Sequence, residues 1–246
     1  MRVSRIYFQE LENNQNNIIT ISNELEQYNY ITKVLRLKKN YTVKLFNNTG
    51  YDYICEIIEI SNKKIELNIN NKIKVNTESD LKIHLAQGIS KPNHFEITLQ
   101  KSVELGISEI TPIISERAET LQFNDKKIDR YEKIIISACE QSNRAIIPKL
   151  NEAIHYSEFL QQDFIKNEDN LCLIPDPASN NKIDINTIKN KKDCTILIGP
   201  EGGFSDSEIE LAVQYGFIAI TLGPRILRTE TAGIALISFL QFLSLS

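Results

Sequence analysis

Apolar positions recur along this chain in two rhythms, and the change between them falls near residue 75. From Ile18 to about Val75 the runs are short. Residues 41–46 (Tyr-Thr-Val-Lys-Leu-Phe) alternate, Asn47-Asn48-Thr49-Gly50 supplies a turn, and 51–60 continue as a strand. Ser61-Asn62-Lys63-Lys64 turns again into a strand at 65–69. This spacing predicts a small β-barrel or sandwich-like unit, followed by a polar linker over 72–80.

Beyond the linker, strand and helix patterns alternate. Strands are predicted at 81–86, 107–114, 171–174, 195–198 and 218–222. A helix over 93–105 ends at Gly106, a suitable C-cap. Another over 126–142 places Ile128, Tyr131, Ile134, Ile135 and Ala138 at helical spacing. Two more are predicted at 205–215 and 229–243. Alternating β and α at these lengths implies a layered α/β domain around a mostly parallel sheet. The expected division is 1–72 and 73–246.

Composition narrows the reading. The 246 residues are 41% hydrophobic, enough for substantial cores, with a net charge of −4. A general nucleic-acid coat, on DNA for example, is disfavoured, but the charge is unevenly shared. Residues 1–75 hold 11 basic and 8 acidic residues, net +3; the remainder holds 17 and 24, net −7. Any polyanion contact is therefore expected to start from the N-terminal part. The cysteines Cys55, Cys139, Cys172 and Cys194 lie far apart, without a C-x-x-C pair or a Cys/His cluster. Neither a disulfide framework nor a metal site is implied, and buried thiols in a reducing cytosol are expected. The N-terminus lacks a signal-peptide core and no run reaches membrane-span length, so a soluble cytoplasmic protein without a membrane partner is expected.

Two strand-to-helix turns stand out. In Gly199-Pro200-Glu201-Gly202-Gly203 the glycines allow positive φ and close ligand approach. Ser205-Asp206-Ser207-Glu208 then forms a capping box. The second turn, Leu222-Gly223-Pro224-Arg225-Ile226-Leu227-Arg228, sets two arginines at a helix entrance, with Thr229 the expected N-cap. A cation there opposes the helix dipole, which suggests an anionic partner. Neither turn is a P-loop or a dinucleotide fingerprint. Turns of this kind at one edge of a parallel sheet mark where ligands bind.

These two segments resemble the cofactor loops of the SPOUT, or α/β-knot, RNA methyltransferases. Within that family the likeness is greatest to the branch that methylates N3 of a uridine in 16S rRNA, and it covers nearly the whole chain. Residues 2–8, Val34-Leu35-Arg36-Leu37-Lys38 and Leu45-Phe46 are similar to its PUA-like RNA-binding domain. Gln100–Gly106, Ser115-Glu116-Arg117, Glu140-Gln141-Ser142-Asn143-Arg144 and Pro148 are similar to its catalytic domain. Where the family usually carries a histidine before Val34, this chain reads Tyr28-Asn29-Tyr30-Ile31-Thr32-Lys33, and Ala118 replaces a small polar residue.

The resemblance implies a deep trefoil knot, an exception to the rule against threaded chains. It implies S-adenosylmethionine held by three loops, near 113–116, at 199–203 and at 222–227. The cofactor-binding residues would be Ile114, Gly199, Pro200, Gly202, Gly203, Leu222, Gly223, Ile226, Leu227, Thr231 and Ala232. A homodimer is implied, for which the apolar segment 234–245 is a fitting surface. Methyl transfer from a sulfonium to a ring nitrogen needs positioning and an acceptor for the departing proton, with no metal. Arg228 and Arg144 suit anion contact, and Glu201 and Glu230 are candidate proton acceptors, with the choice left open. Arg2, Arg5, Arg36 and Lys38 would meet phosphates. His84, His94 and His155 read as structural or surface residues. Alternatives are a SPOUT ribose 2′-O-methyltransferase or a catalytically silent RNA-binding assembly factor.

Overall fold

A computed structural model describes residues 3–13, 17–118, 125–189 and 191–244. The chain divides into two units, Met1–Glu78 with Cys139–Ile147, and Ser79–Ala138 with Pro148–Ser246.

The first unit holds β1 (Ser4–Tyr7), β2 (Ile18–Ser22), the short helix α1 (Glu26–Asn29), β3 (Thr42–Phe46), β4 (Tyr51–Ile60) and β5 (Lys64–Lys74). They form one sheet in the order β1-β3-β4-β5-β2, antiparallel except for β1 beside β3. Alternation does what it promised: Val43 and Leu45, Tyr53, Cys55 and Ile57, and Ile65 and Leu67 share one buried core with Ile19 and Ile21. Asn48 (φ 65°) and Gly50 (φ 80°) take left-handed backbone in the expected turn. Strand β5 overruns its predicted end at 69 and takes in the start of the expected linker. The tail Asn70–Lys74 is exposed and mostly polar, so it carries no alternation, yet its backbone pairs with β4, Lys72 opposite Tyr53 and Lys74 opposite Tyr51.

The second unit contains β6 (Lys82–Gly88), α2 (Pro92–Glu104), β7 (Glu109–Ile114), β8 (Lys149–Leu150), β9 (Ile154–His155), α4 (Tyr156–Leu160), β10 (Asn170–Pro175), α5 (Ile185–Lys189), β11 (Asp193–Ile198), α6 (Asp206–Gln214), β12 (Ile218–Ile220) and α7 (Thr229–Ser244). Helix α3 (Asp125–Ser142) contributes residues to both units. The sheet order is β12-β10-β11-β6-β7-β8, with β9 also on β7, and every pairing is parallel. Its inner strands are buried on both faces, as in β11, where Cys194 through Ile198 are all buried. Leu197 joins a cluster with Phe159, Phe204 and Ala212. Its neighbour Ile198 points the other way, toward Gly233 of α7. The chain thus returns from edge strand β12 to pack α7 on β11, β6 and α2.

Local chemistry sets the helix ends. Ser205 Oγ accepts from Glu208 N–H (3.2 Å) and Ser205 N–H donates to Glu208 Oε2 (2.9 Å), the full capping box. Gly106 follows α2 with φ 87°. All four cysteines are free and buried, and burial pushes the Cys55 thiol up to about 12. No helix among the described residues is long and apolar enough to cross a membrane.

Candidate active site at the carboxyl ends of neighbouring parallel strands

A cavity of about 600 Å³ opens where β10, β11 and β12 end. These strands are neighbours in the sheet, so their following loops converge. Pro175, Asp176, Pro177 and Ala178 come from the first loop, Gly199 through Gly203 from the second, and Leu222, Gly223 and Arg225 through Arg228 from the third. Thr229, Glu230 and Ala232 of α7 complete the wall, and His94 enters from the first turn of α2.

The expected third loop is therefore corrected. Ile114 does not line this cavity; with Ser115, Glu116 and His155 it lines a separate one of about 500 Å³. It ends β7, two strands from β11, and two strand spacings are about 10 Å. The third loop that lines the cavity is the one after β10. Thr231 is likewise absent from the lining and stands exposed on α7. The other nine expected cofactor residues, Gly199, Pro200, Gly202, Gly203, Leu222, Gly223, Ile226, Leu227 and Ala232, all line the cavity.

Side chains brace these loops. Thr229 Oγ1 donates to Gly199 O (2.5 Å) and accepts from Gln87 Nε2 (2.9 Å), so its hydroxyl ties α7 to the β11 loop. The expected N-cap position falls instead to Arg228, whose carbonyl accepts from Ala232 N–H (2.8 Å). Arg117 Nη1 donates to Gly202 O (3.0 Å). Gly203 takes φ 67° and Gly223 φ 108°, and a Cβ on either would meet nothing within 4 Å. Gly202 has no left-handed φ, and a Cβ there would lie 3.2 Å from Arg117 Cβ. The positive φ expected across the motif thus falls on Gly203, while Gly202 is constrained by its packing.

Glu201 reaches away from its loop: its Oε1 accepts from Lys91 N–H (2.9 Å) and lies 3.1 Å from His94 Nδ1. An acid between Pro200 and Gly202 is thereby explained as a tie to the start of α2. His94, read from sequence as structural or surface, belongs to the cavity. The signal for it was available, since it opens a helix that follows a parallel strand. His84 fits the structural reading: burial pushes its imidazole down to about 4, and Nε2 lies 2.7 Å from Thr111 Oγ1.

Two arginines depart from their expected roles. Arg144 is 2% exposed and grips Glu78 through Nε–Oε1 (3.1 Å) and Nη2–Oε2 (2.5 Å), outside the cavity lining. Arg5 is also buried. Its Nε donates to Asp52 Oδ1 (2.9 Å), its Nη1 donates to Cys139 O (2.9 Å), and its guanidinium stacks 3.8 Å over Phe46. Neither guanidinium is available to a phosphate. Arg36 and Lys38 are exposed, Arg36 with left-handed φ 52°, and Arg2 lies outside the described residues.

The domain that carries these loops and this cavity is a methyltransferase domain. Residues 77–241 match the family model of the RNA methyltransferase domain, and residues 23–70 match that of the RNA methyltransferase PUA domain. Ribosomal RNA small subunit methyltransferase E of Buchnera aphidicola subsp. Schizaphis graminum is 44% identical over 98% of this chain and 96% of its own length. The same enzyme of Rickettsia conorii is 32% identical over 99% and 97%. The crystal structure of the Neisseria gonorrhoeae ribosomal RNA small subunit methyltransferase E bound to S-adenosyl methionine superposes with a TM-score of 0.87, at 34% identity over 98% of both chains. This chain belongs to the ribosomal RNA small subunit methyltransferase E family.

Proposed function

We propose that the protein transfers a methyl group from S-adenosylmethionine to N3 of a uridine in 16S rRNA of the small ribosomal subunit. The observation that carries this reading is the cavity itself. Its volume of about 600 Å³ suits a nucleoside-sized cofactor, and glycine and proline backbone of three adjacent loops forms its wall. Gly203 and Gly223, with open space where a Cβ would stand, fit a ligand held close to the backbone. Gly199, Pro200, Gly202, Gly203, Leu222, Gly223, Ile226, Leu227 and Ala232 would hold the cofactor. Isothermal titration with S-adenosylmethionine tests the cofactor, and absence of binding would favour the assembly-factor reading. Mapping the methylated atom in rRNA from a deletion strain tests the target; a missing 2′-O-methyl group would favour the ribose alternative.

In this reading residues 1–72 engage RNA, with Arg36 and Lys38 on the phosphates, and residues 73–246 bind the methyl donor. The knotted threading that the resemblance implies is part of this reading. Exposed Phe239 (45%) and Phe242 (68%) lie three residues apart on α7 and suit an isologous interface in a cytoplasmic homodimer. Sedimentation equilibrium showing only monomers would remove the dimer.

Gly203→Val should weaken S-adenosylmethionine binding by about tenfold or more, because a β-branched residue at φ 67° costs about 1–3 kcal/mol and its methyls enter the cavity. Titration calorimetry checks this, and an unchanged Kd would take the loop out of the site.

A further inference from the structure

The glycine loop after β11 is held from outside by a segment that lines no part of its cavity. Ser115-Glu116-Arg117 follows β7, and none of the three is in the lining; Ser115 and Glu116 border the second cavity instead. Arg117 is exposed, and its guanidinium turns to backbone. Nη1 donates to Gly202 O (3.0 Å) and, at 3.4 Å, to Phe204 O. These two carbonyls flank Gly203, which holds the left-handed φ of 67°.

Other groups fix the rest of the loop. Thr229 Oγ1 donates to Gly199 O at its start, and Ser205 N–H donates to Glu208 Oε2 at its far end. Gly203 N–H donates to Pro200 O (2.9 Å). The carbonyls on either side of Gly203 go to Arg117. The arginine is itself anchored one residue earlier, where Glu116 N–H donates to Glu208 Oε1 (2.9 Å) and ties the β7 turn to the start of α6. Its stem also accounts for Gly202. A Cβ there would lie 3.2 Å from Arg117 Cβ and 3.4 Å from its Cδ, so any side chain at 202 crowds the arginine.

Glycine loses more conformational freedom on ordering than any other residue, and this loop has two in succession. A loop that is not ordered beforehand has to be ordered by its ligand, and affinity falls. Resting on the methyl-donor site proposed above, we propose that Arg117 is a positioning residue for S-adenosylmethionine, which pre-organises the backbone from Gly202 to Phe204 and touches neither the methyl donor nor the base. The turn after β7 thus acts on the cavity through one side chain without lining it.

The test compares wild type, Arg117→Ala and Arg117→Lys by titration calorimetry with S-adenosylmethionine, steady-state kinetics on small-subunit rRNA, and melting curves. Arg117→Ala should raise Kd and KM for S-adenosylmethionine about tenfold, as loss of a charge-assisted hydrogen bond at an exposed site does. Its kcat at saturating donor, its KM for rRNA and its Tm should match wild type, a split that a general brace of the fold would not give. Arg117→Lys should recover part of the affinity, because an ammonium also donates to carbonyls. Gly202→Ala should weaken donor binding in the same direction by displacing the arginine stem. An unchanged Kd in Arg117→Ala overturns the proposal; with a raised KM for rRNA and a shallower salt slope, that result would place the arginine on a phosphate instead. A Tm that falls in step with affinity also overturns it. A wild-type protein that binds no S-adenosylmethionine would instead overturn the site on which the proposal rests.

Discussion

Arg228→Ala should turn over about a hundredfold more slowly than wild type, a loss of about 2.7 kcal/mol in transition-state stabilisation, while melting at the same temperature and binding S-adenosylmethionine equally well. Arg228 is exposed, lines the cavity and makes no ion pair among the described residues. Its backbone carbonyl opens α7, and that hydrogen bond survives the substitution. Its guanidinium sits at the positive end of the helix dipole, a placement that costs a few tenths of a kcal/mol to about 1. Among the described residues no acid pairs with it, which is why an anionic partner is expected for it in the bound state: a phosphate, or the negative charge that develops on the base as its proton leaves. Arg225 also lines the cavity and shares the load, which keeps the effect graded. Arg228→Lys should recover only part of the rate, because an ammonium keeps the charge and loses the planar fork. Steady-state kinetics beside melting and titration curves decide the matter. Joint loss of Tm, cofactor affinity and activity would make Arg228 a brace, and a fully active alanine variant would remove it from the site.

The sequence made some of this site readable and hid the rest for identifiable reasons. The Gly199 and Leu222 turns were legible because each joins a short apolar run to a helical pattern through residues with special backbone. The capping box at Ser205 was legible because both of its hydrogen bonds are local. Sheet order was not legible, since a chain of alternating strands and helices does not say which strands become neighbours. The resemblance placed Ile114 beside the cofactor, and without the sheet order the sequence did not bring Pro175 through Ala178 and His94 to the cavity, where their places follow from the order β12-β10-β11-β6-β7. The pairs β8 and β9 and the one-turn helices α4 and α5 are too short to show a period. Charge sign was legible as well, but partners were not. Asp52 lies 47 residues from Arg5, and Glu78 lies 66 residues from Arg144, so burial of either arginine could not be foreseen.

Burial of Arg5 turns an expected RNA contact into a stability prediction. Its side chain is 3% exposed and that of Asp52 is 6%, so both charges have left water and depend on each other. Lys44 Nζ, 3.7 Å from Asp52 Oδ2, is itself 36% exposed and is a weaker partner. Removing one member of such a pair strands the other and costs about 3–5 kcal/mol, a large share of a domain's usual stability of about 5–15 kcal/mol. Arg5→Ala also frees the Cys139 carbonyl and uncovers the Phe46 ring, so it should lie toward the upper end. Urea denaturation of the full chain should show the loss as a lower midpoint, for Arg5→Ala and for Asp52→Ala. Because the two residues act through one ion pair, the double variant should cost less than the sum of the single ones. Arg36→Ala with Lys38→Ala should behave oppositely, with an unchanged midpoint and a shallower salt dependence of rRNA binding, by about 0.7–0.9 in slope for each phosphate that the variant no longer neutralises. An Arg5→Ala protein as stable as wild type, with a shallower salt slope, would return Arg5 to the RNA surface and take away its structural role.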